Sequence, residues 1–295
     1  MAIETTTSAA ERKHLSPASG TRTALLLIDI QRGLNTHNGY FGTERSTPDF
    51  EENITSLLAA CRGYNAGTTK PQEPNNAPSP GQNASTDGAE GNNPLKPPYA
   101  IDIVHVYHKS TNPLSPLHVS GTAQKDGILF MPCAEPAAVS SGDNSDNGSS
   151  TSPTTVERVL AKSTNTAFGN PELASILERG RIEQLVVAGI ATDHCVTTSV
   201  RWAKDLGVVK KRPGLLRGED AAAAAGAEGK GDPQGEREGM KKGEAGKIVV
   251  LGDATACFNK GGFDAETVHK VHLASLEGEF ARVMTTRDVL DQLLG

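Results

Sequence analysis

Apolar residues fall along this chain in dense runs, separated by stretches with almost nothing to bury. Ala24 to Ile28, inside RTALLLIDI (22–30), is a short unbroken apolar run, the pattern of a strand covered on both faces, and Asp29 stands at its carboxyl end. Behind a helix start at Pro48 and Asp49, residues Phe50, Ile54, Leu57, Leu58 and Cys61 recur at helical spacing. IDIVHVYH (101–108) alternates as a second strand, and VERVLAKS (156–163) reads as a third that ends near Lys162. Asn170 and Pro171 open a helix that carries Leu173, Ile176 and Leu177 and stops at Gly180. Leu185 to Ala188 forms a fourth strand. It runs into Gly189, and after it Val196, Val200, Ala203 and Leu206 return to helical spacing, with Gly207 as the cap. KIVVLGDA, an amphipathic helix from Ala265 to Gly278, a short strand in ARVMTT and a closing helix from Arg287 to Leu294 complete the pattern.

Strands alternating with helices predict an α/β fold: a three-layer α/β/α sandwich around a mostly parallel, Rossmann-like sheet of roughly six strands. Three low-complexity stretches interrupt it, at about 65–98, 136–155 and 210–246, each rich in small, polar or charged residues, and residues 1–20 read as a flexible arm. Without them roughly 200 residues remain, the size of one domain spanning 21–295.

Composition narrows the class. The 295 residues carry a formal charge of −6, which argues against a nucleic-acid or membrane-surface binder. No apolar run approaches the roughly 20 residues of a membrane span, and the first 20 residues lack an apolar signal core. The four cysteines, at 61, 133, 195 and 257, form no CxxC pair and no dense disulfide framework. A cytoplasmic protein of the reducing compartment, with no cofactor expected, is the reading.

In open parallel sheets ligands bind beyond the carboxyl ends of the strands. Asp29, Lys162 and Cys195 each fall at or just after such an end, so three groups distant in sequence converge on one rim. Cys195 sits where a strand turns into a helix, and a helix start favours thiolate over thiol. Singly, each has a plainer reading: Asp29 as a turn residue, Lys162 as a surface lysine, Cys195 as a small buried hydrophobe. Cys61 belongs to an apolar helix face, and Cys133 and Cys257 read as structural thiols. Phe168 and Trp202 are candidate pocket walls, with packing the stronger reading for Trp202.

LLLIDIQRGL around Asp29, VLAKSTNTAF around Lys162 and VVAGIATDHCV leading to Cys195, with weaker matches in LGDATACF and FDAETVHKVHLASLEGEFARVMTT, resemble the isochorismatase-like cysteine hydrolases, relatives of nicotinamidases and ureido-amidohydrolases. The match covers nearly all the patterned segments in the family's order. It implies a triad of Asp29, Lys162 and Cys195, an oxyanion hole from the backbone N–H groups of Ala191 and Cys195, and a cis peptide between Ile190 and Ala191. The implied reaction is hydrolysis of a C–N bond in a small amide, ureide or carbamate through a thioester. Nicotinamidases also bind a metal through an Asp-x-His pair and a later histidine. Here Val106 stands two residues before His108, so that set is incomplete, and His105 and His108 face opposite sides of their strand, leaving no metal site expected among His105, His108 and His118. His108, Phe168 and His194 remain candidate substrate contacts. Homo-oligomers are common in such a family. Two alternatives stand beside the amidohydrolase: vinyl ether hydrolysis of the isochorismatase type, and a non-catalytic binding or scaffold protein on the same fold.

Overall fold

The computed structural model describes residues 14–35, 39–68, 99–121, 123–137, 157–210 and 245–295. Their strands are β1 (Thr23–Ile28), β2 (Asp102–His108), β3 (Arg158–Lys162), β4 (Gln184–Ile190), β5 (Lys247–Ala256) and β6 (Arg282–Met284). They form one six-stranded sheet in the order β3-β2-β1-β4-β5-β6, and every pairing is parallel. Helices α1 (Arg32–Asn35), α2 (Phe50–Thr68), α3 (Pro171–Arg179), α4 (Thr197–Leu206), α5 (Ala265–Leu276) and α6 (Thr286–Leu294) make the connections. The expected α/β architecture is therefore observed.

Strand alternation sorts the core into two layers. Leu25 and Leu27 of β1 pack with Phe50, Ile54 and Leu58 of α2 and Val289 and Leu293 of α6, on one face of the sheet. Ala24, Leu26 and Ile28 pack on the other face, with Leu173 and Leu177 of α3, Val200 and Ala203 of α4, and Leu276 of α5. Both faces of β1 are consequently dry, which is why its sequence is an unbroken apolar run. Helix ends follow their local chemistry: the Asn170 side chain accepts the Glu172 N–H, Asp264 accepts that of Thr267, and Gly207 closes α4 in the left-handed conformation at φ 58°.

The chain steps outward from β1 through β2 to β3, then crosses back to β4 and proceeds to β6. Strand order thus reverses between β1 and β4, and the carboxyl ends of those two strands flank a natural crevice. They lie unusually close. At Gly189 (φ 136°) a Cβ would stand 2.1 Å from the Ile28 carbonyl oxygen, so only glycine fits against β1 there.

Two sequence-based boundaries move. The first low-complexity stretch does not begin at 65, because α2 continues to Thr68 and buried Asn65 donates to the Ile101 carbonyl at 2.9 Å and accepts its N–H at 2.8 Å. Nor is the arm loose over 14–20. Leu15 and Ala18 are buried, the Gln292 side chain accepts the N–H groups of His14 and Leu15, and Gln184 binds both the N–H and the carbonyl of Ser16. Residues 1–13, and most of the three low-complexity stretches (69–98, 138–156 and 211–244), lie outside the described residues. The residues flanking the third stretch are held together: Lys210 bridges to Ala245, and Gly246 N–H donates to Val209.

Candidate active site

Four strand ends deliver the site. Asp29 follows β1, His108 ends β2, Lys162 ends β3, and Cys195 follows β4. Asp29 adopts a left-handed backbone (φ 52°), which a short polar side chain tolerates, while its N–H donates to Val106 at 2.8 Å and ties the turn to β2. Between β4 and α4 the chain makes a π-helical turn, Thr192–Val196, so Cys195 lies within that turn and two residues before α4 begins. The peptide bond entering the turn, between Ile190 and Ala191, is cis.

Lys162 is the hub. Its Nζ donates to Asp29 Oδ2 at 2.6 Å and to the Thr164 carbonyl at 3.0 Å, and lies 3.2 Å from His108 Nδ1 and 3.4 Å from Cys195 Sγ. The side chains of Lys162 and Asp29 are 0% and 2% exposed, so this ion pair is shielded from water. Far from being a surface lysine, Lys162 is among the most buried groups in the molecule. An ammonium has three protons for these four neighbours. Asp29 Oδ1 is buried with no hydrogen-bond partner, an acceptor held open beside the thiol.

Burial and these charges set the proton affinities. Burial raises the Asp29 pKa, opposed by Lys162, so the carboxylate is a stronger base than an ordinary aspartate. Burial also pushes the Cys195 thiol upward, and the Asp29 carboxylate reinforces this against Lys162. The helix-start argument predicted a thiolate; the structure instead keeps a thiol at rest, because desolvation beside a carboxylate outweighs a helix end that begins only at Thr197. His108 is held below the usual histidine range, by burial first and then by Lys162.

Supporting residues not singled out in the sequence hold this arrangement. Gln31 is fully buried; its amide donates to the His108 and Ile128 carbonyls at 3.1 and 2.8 Å, and its oxygen accepts the His108 N–H at 2.8 Å, fixing the end of β2. Ser199 donates to the Cys195 carbonyl and accepts the Ala167 N–H at 2.8 Å, joining the turn of the thiol to the segment after Lys162. His269 of α5 places Nε2 at 2.8 Å from the Gly252 carbonyl, which can only accept, so Nε2 carries the proton and Nδ1 accepts from Thr192 Oγ1 at 2.9 Å. Only their position in space, not their spacing in sequence, signals these roles.

The candidate substrate contacts separate. His108 joins the cluster. Phe168 is 8% exposed and packs in the core layer beneath Cys195. His194 points to the surface, with Lys260 at 2.9 Å and Asp193 at 3.3 Å as its partners. Trp202 is 47% exposed on α4, and so packs little. Of the other histidines, His105 binds Glu157 at 3.0 Å, and His118 Nδ1 meets Ser120 Oγ at 2.7 Å. Cys61 and Cys257 are buried, Cys133 is half-buried, and all four cysteines are free. A cleft of about 700 Å³ bounded by Lys109, His118, Lys162 and Asn170 opens along the β2–β3 side.

A reversing parallel sheet with a carboxylate, an ammonium and a thiol packed together at its carboxyl edge is an enzyme scaffold of the doubly wound α/β class. Residues 23–229 match the Isochorismatase domain family model, and the chain belongs to that family of hydrolases. It is 24% identical over 183 residues to the uncharacterized isochorismatase family protein YrdC of Bacillus subtilis strain 168, which covers 60% of this chain and 73% of that protein. Among solved structures, a protein of the isochorismatase family from Chromobacterium violaceum superimposes with a TM-score of 0.57 at 23% identity, covering 94% of this chain and 96% of that one. An isochorismatase from Pseudomonas putida KT2440 gives 0.53 at 18% identity, over 94% and 95% of the two chains. A cysteine hydrolase from Pseudomonas syringae pv. phaseolicola gives 0.51 at 16% identity, over 92% of each. At these identities the structural likeness establishes the fold. Among the described residues, no helix is long and apolar enough to cross a membrane.

Proposed function

We propose that this chain is a cysteine-dependent amidohydrolase that cleaves a C–N bond in a small amide, ureide or carbamate. The observation that carries the reading is the buried cluster itself, in which Lys162 Nζ touches both Asp29 Oδ2 and Cys195 Sγ. In this mechanism Asp29 takes the thiol proton as Sγ attacks the carbonyl carbon, so charge passes from the carboxylate to sulfur and on to the carbonyl oxygen without an isolated thiolate. Lys162 stays within reach of both donor and acceptor, stabilising whichever is negative. The backbone N–H groups of Ala191 and Cys195 receive the oxyanion, and one such donor is worth on the order of 100-fold or more in rate. Asp29 then hands its proton to the leaving nitrogen, and water, deprotonated by the same carboxylate, hydrolyses the thioester. Asp29 Oδ1, buried and unpartnered, is the atom suited to receive these protons. A single active chain suffices for this chemistry, and assembly into a homo-oligomer is compatible with it.

The test is single-turnover intact-mass spectrometry with a panel of small amides, ureides and carbamates. A covalent acyl adduct on Cys195, absent from Cys195→Ala together with turnover, is the expected result. Hydrolysis of the panel undiminished in Cys195→Ala refutes the thioester. Turnover of a vinyl ether retained in that variant but lost in Asp29→Asn establishes the isochorismatase-type reaction instead, and a chain inert to every substrate class supports the scaffold reading.

A further inference from the structure

Lys162 occupies the centre of a metal-ligand set. Among the described residues, one group of cysteine, histidine and carboxylate donors falls within 4.8 Å of one another, and it is Asp29, His108 and Cys195. The Lys162 ammonium lies against all three, at 2.6, 3.2 and 3.4 Å. A thiolate, an imidazole and a carboxylate are the ligands Zn²⁺ takes, and three protein donors with a fourth position left over make an open tetrahedral site. Bonds of roughly 2.0–2.3 Å set such donors about 3.5 Å apart, so they need close in by little more than about 1 Å. Asp29 Oδ1 is buried with no hydrogen-bond partner.

We propose that this pocket reversibly binds a thiophilic divalent cation, with Zn²⁺ the best fit, on Cys195 Sγ, His108 and Asp29 in competition with the Lys162 ammonium, and that the bound ion inhibits the enzyme. The inhibition rests on the reading of Cys195 as the nucleophile; the binding does not. The Cys195 S–H bond breaks, its proton passes to solvent, and bonds from the ion to sulfur, nitrogen and oxygen form with no change of oxidation state. Lys162 keeps its proton and its bond to the Thr164 carbonyl while giving up Asp29. The lysine is then what limits the affinity: one positive charge already compensates the donors, and a second cation has to displace it.

That competition gives the experiment an uncommon sign. Chelator-treated protein is titrated with Co²⁺, whose thiolate charge-transfer absorption reports a sulfur ligand, and then with Zn²⁺. Wild type is expected to bind one Co²⁺ per chain with the thiolate band, bleached by Zn²⁺, and Cys195→Ser is expected to lack the band. His108→Asn should weaken binding at least tenfold. Lys162→Met, its fold checked by circular dichroism, should tighten it at least tenfold, because the competing charge is gone. No thiolate band in wild type, an affinity unchanged in His108→Asn, or a folded Lys162→Met that binds no more tightly overturns the site. Wild type and His108→Asn decide the matter even where Lys162→Met does not fold. An acyl adduct on Cys195 without a cobalt band removes the metal site and leaves the hydrolase standing, whereas a cobalt band without an adduct does the reverse.

Discussion

Replacing Lys162 with methionine removes one charge and preserves most of the aliphatic stem, so it isolates the buried ion pair. At 2.6 Å, and with an effective dielectric of about 20, the pair interacts by about 6 kcal/mol, much of which offsets the cost of taking both groups out of water. Removing one partner strands the other, at a typical cost of about 3–5 kcal/mol. Asp29 has a second option, which is to bind a proton. Its pKa is already raised by burial, and the loss of the opposing ammonium raises it further. A carboxyl whose pKa is higher folded than unfolded contributes stability that is fully present below the unfolded value of about 3.9 and is lost as the pH climbs towards the folded value. Protonation therefore costs about 1.4 kcal/mol per unit above 3.9, or about 1.5 kcal/mol at pH 5. Lys162→Met should lose about 1.5 kcal/mol at pH 5 and about 3–5 kcal/mol at pH 8 relative to wild type, read by urea denaturation with an unchanged m-value. Adding Asp29→Asn should recover at least about 2 kcal/mol at pH 8, a coupling expected only of residues in contact. A loss independent of pH, or single effects that simply add in the double variant, would refute the stranded-charge reasoning.

Three further predictions follow from neighbouring features. Because burial raises the Asp29 pKa, the acid limb of kcat/KM should lie above the ordinary aspartate range, with iodoacetamide labelling of Cys195 following the same limb; a limb at or below pH 4 contradicts this. Gln31→Leu strands the partly buried N–H and carbonyl of His108 and the Ile128 carbonyl, at about 1–3 kcal/mol for each group left unpaired, so a urea-derived loss of about 3 kcal/mol is expected and one under 1 kcal/mol speaks against the clamp. Gly189→Ala forces a Cβ to within 2.1 Å of the Ile28 carbonyl oxygen, and should either cost about 4 kcal/mol or leave no soluble protein, whereas a melting temperature near that of wild type would show that β1 and β4 can part.

What could be read from the sequence is what repeats along the chain. The unbroken apolar runs of β1 and β4 announce strands buried on both faces, and the caps at Asn170 and Gly207 announce helix ends, since each signal lies within a few residues of its effect. Asp29, Lys162 and Cys195 were visible as strand-end residues within family-like motifs. The roles of Gln31, Ser199 and His269 were not visible, although Gln31 and His269 stand within such motifs, because each acts on a group brought near by the fold: Gln31 reaches the backbone of His108, 77 residues away, and His269 the hydroxyl of Thr192, also 77 residues away. Boundaries failed where composition misled. Asn65 looks like the start of a polar stretch, yet its amide satisfies the buried backbone of Ile101, a use of polarity that no local pattern reveals.

The protonation state of Cys195 shows the same divide between local and spatial information. From the sequence, a cysteine just before a helix invites the inference of a stabilised thiolate, since helix position is a local property. Its actual surroundings include a carboxylate that arrives from 166 residues upstream and a desolvated core layer beneath it, and both favour the thiol. A nucleophile kept protonated until a carbonyl is present resists oxidation and stray alkylation, because both proceed through thiolate. In the proposed mechanism the cost is that activation depends wholly on Asp29. A buried base with raised proton affinity meets that requirement in the proposed mechanism, and Lys162 opposes the rise. In that mechanism the carboxylate accepts a proton and then returns it, the two tasks that formation and hydrolysis of the proposed thioester demand in turn.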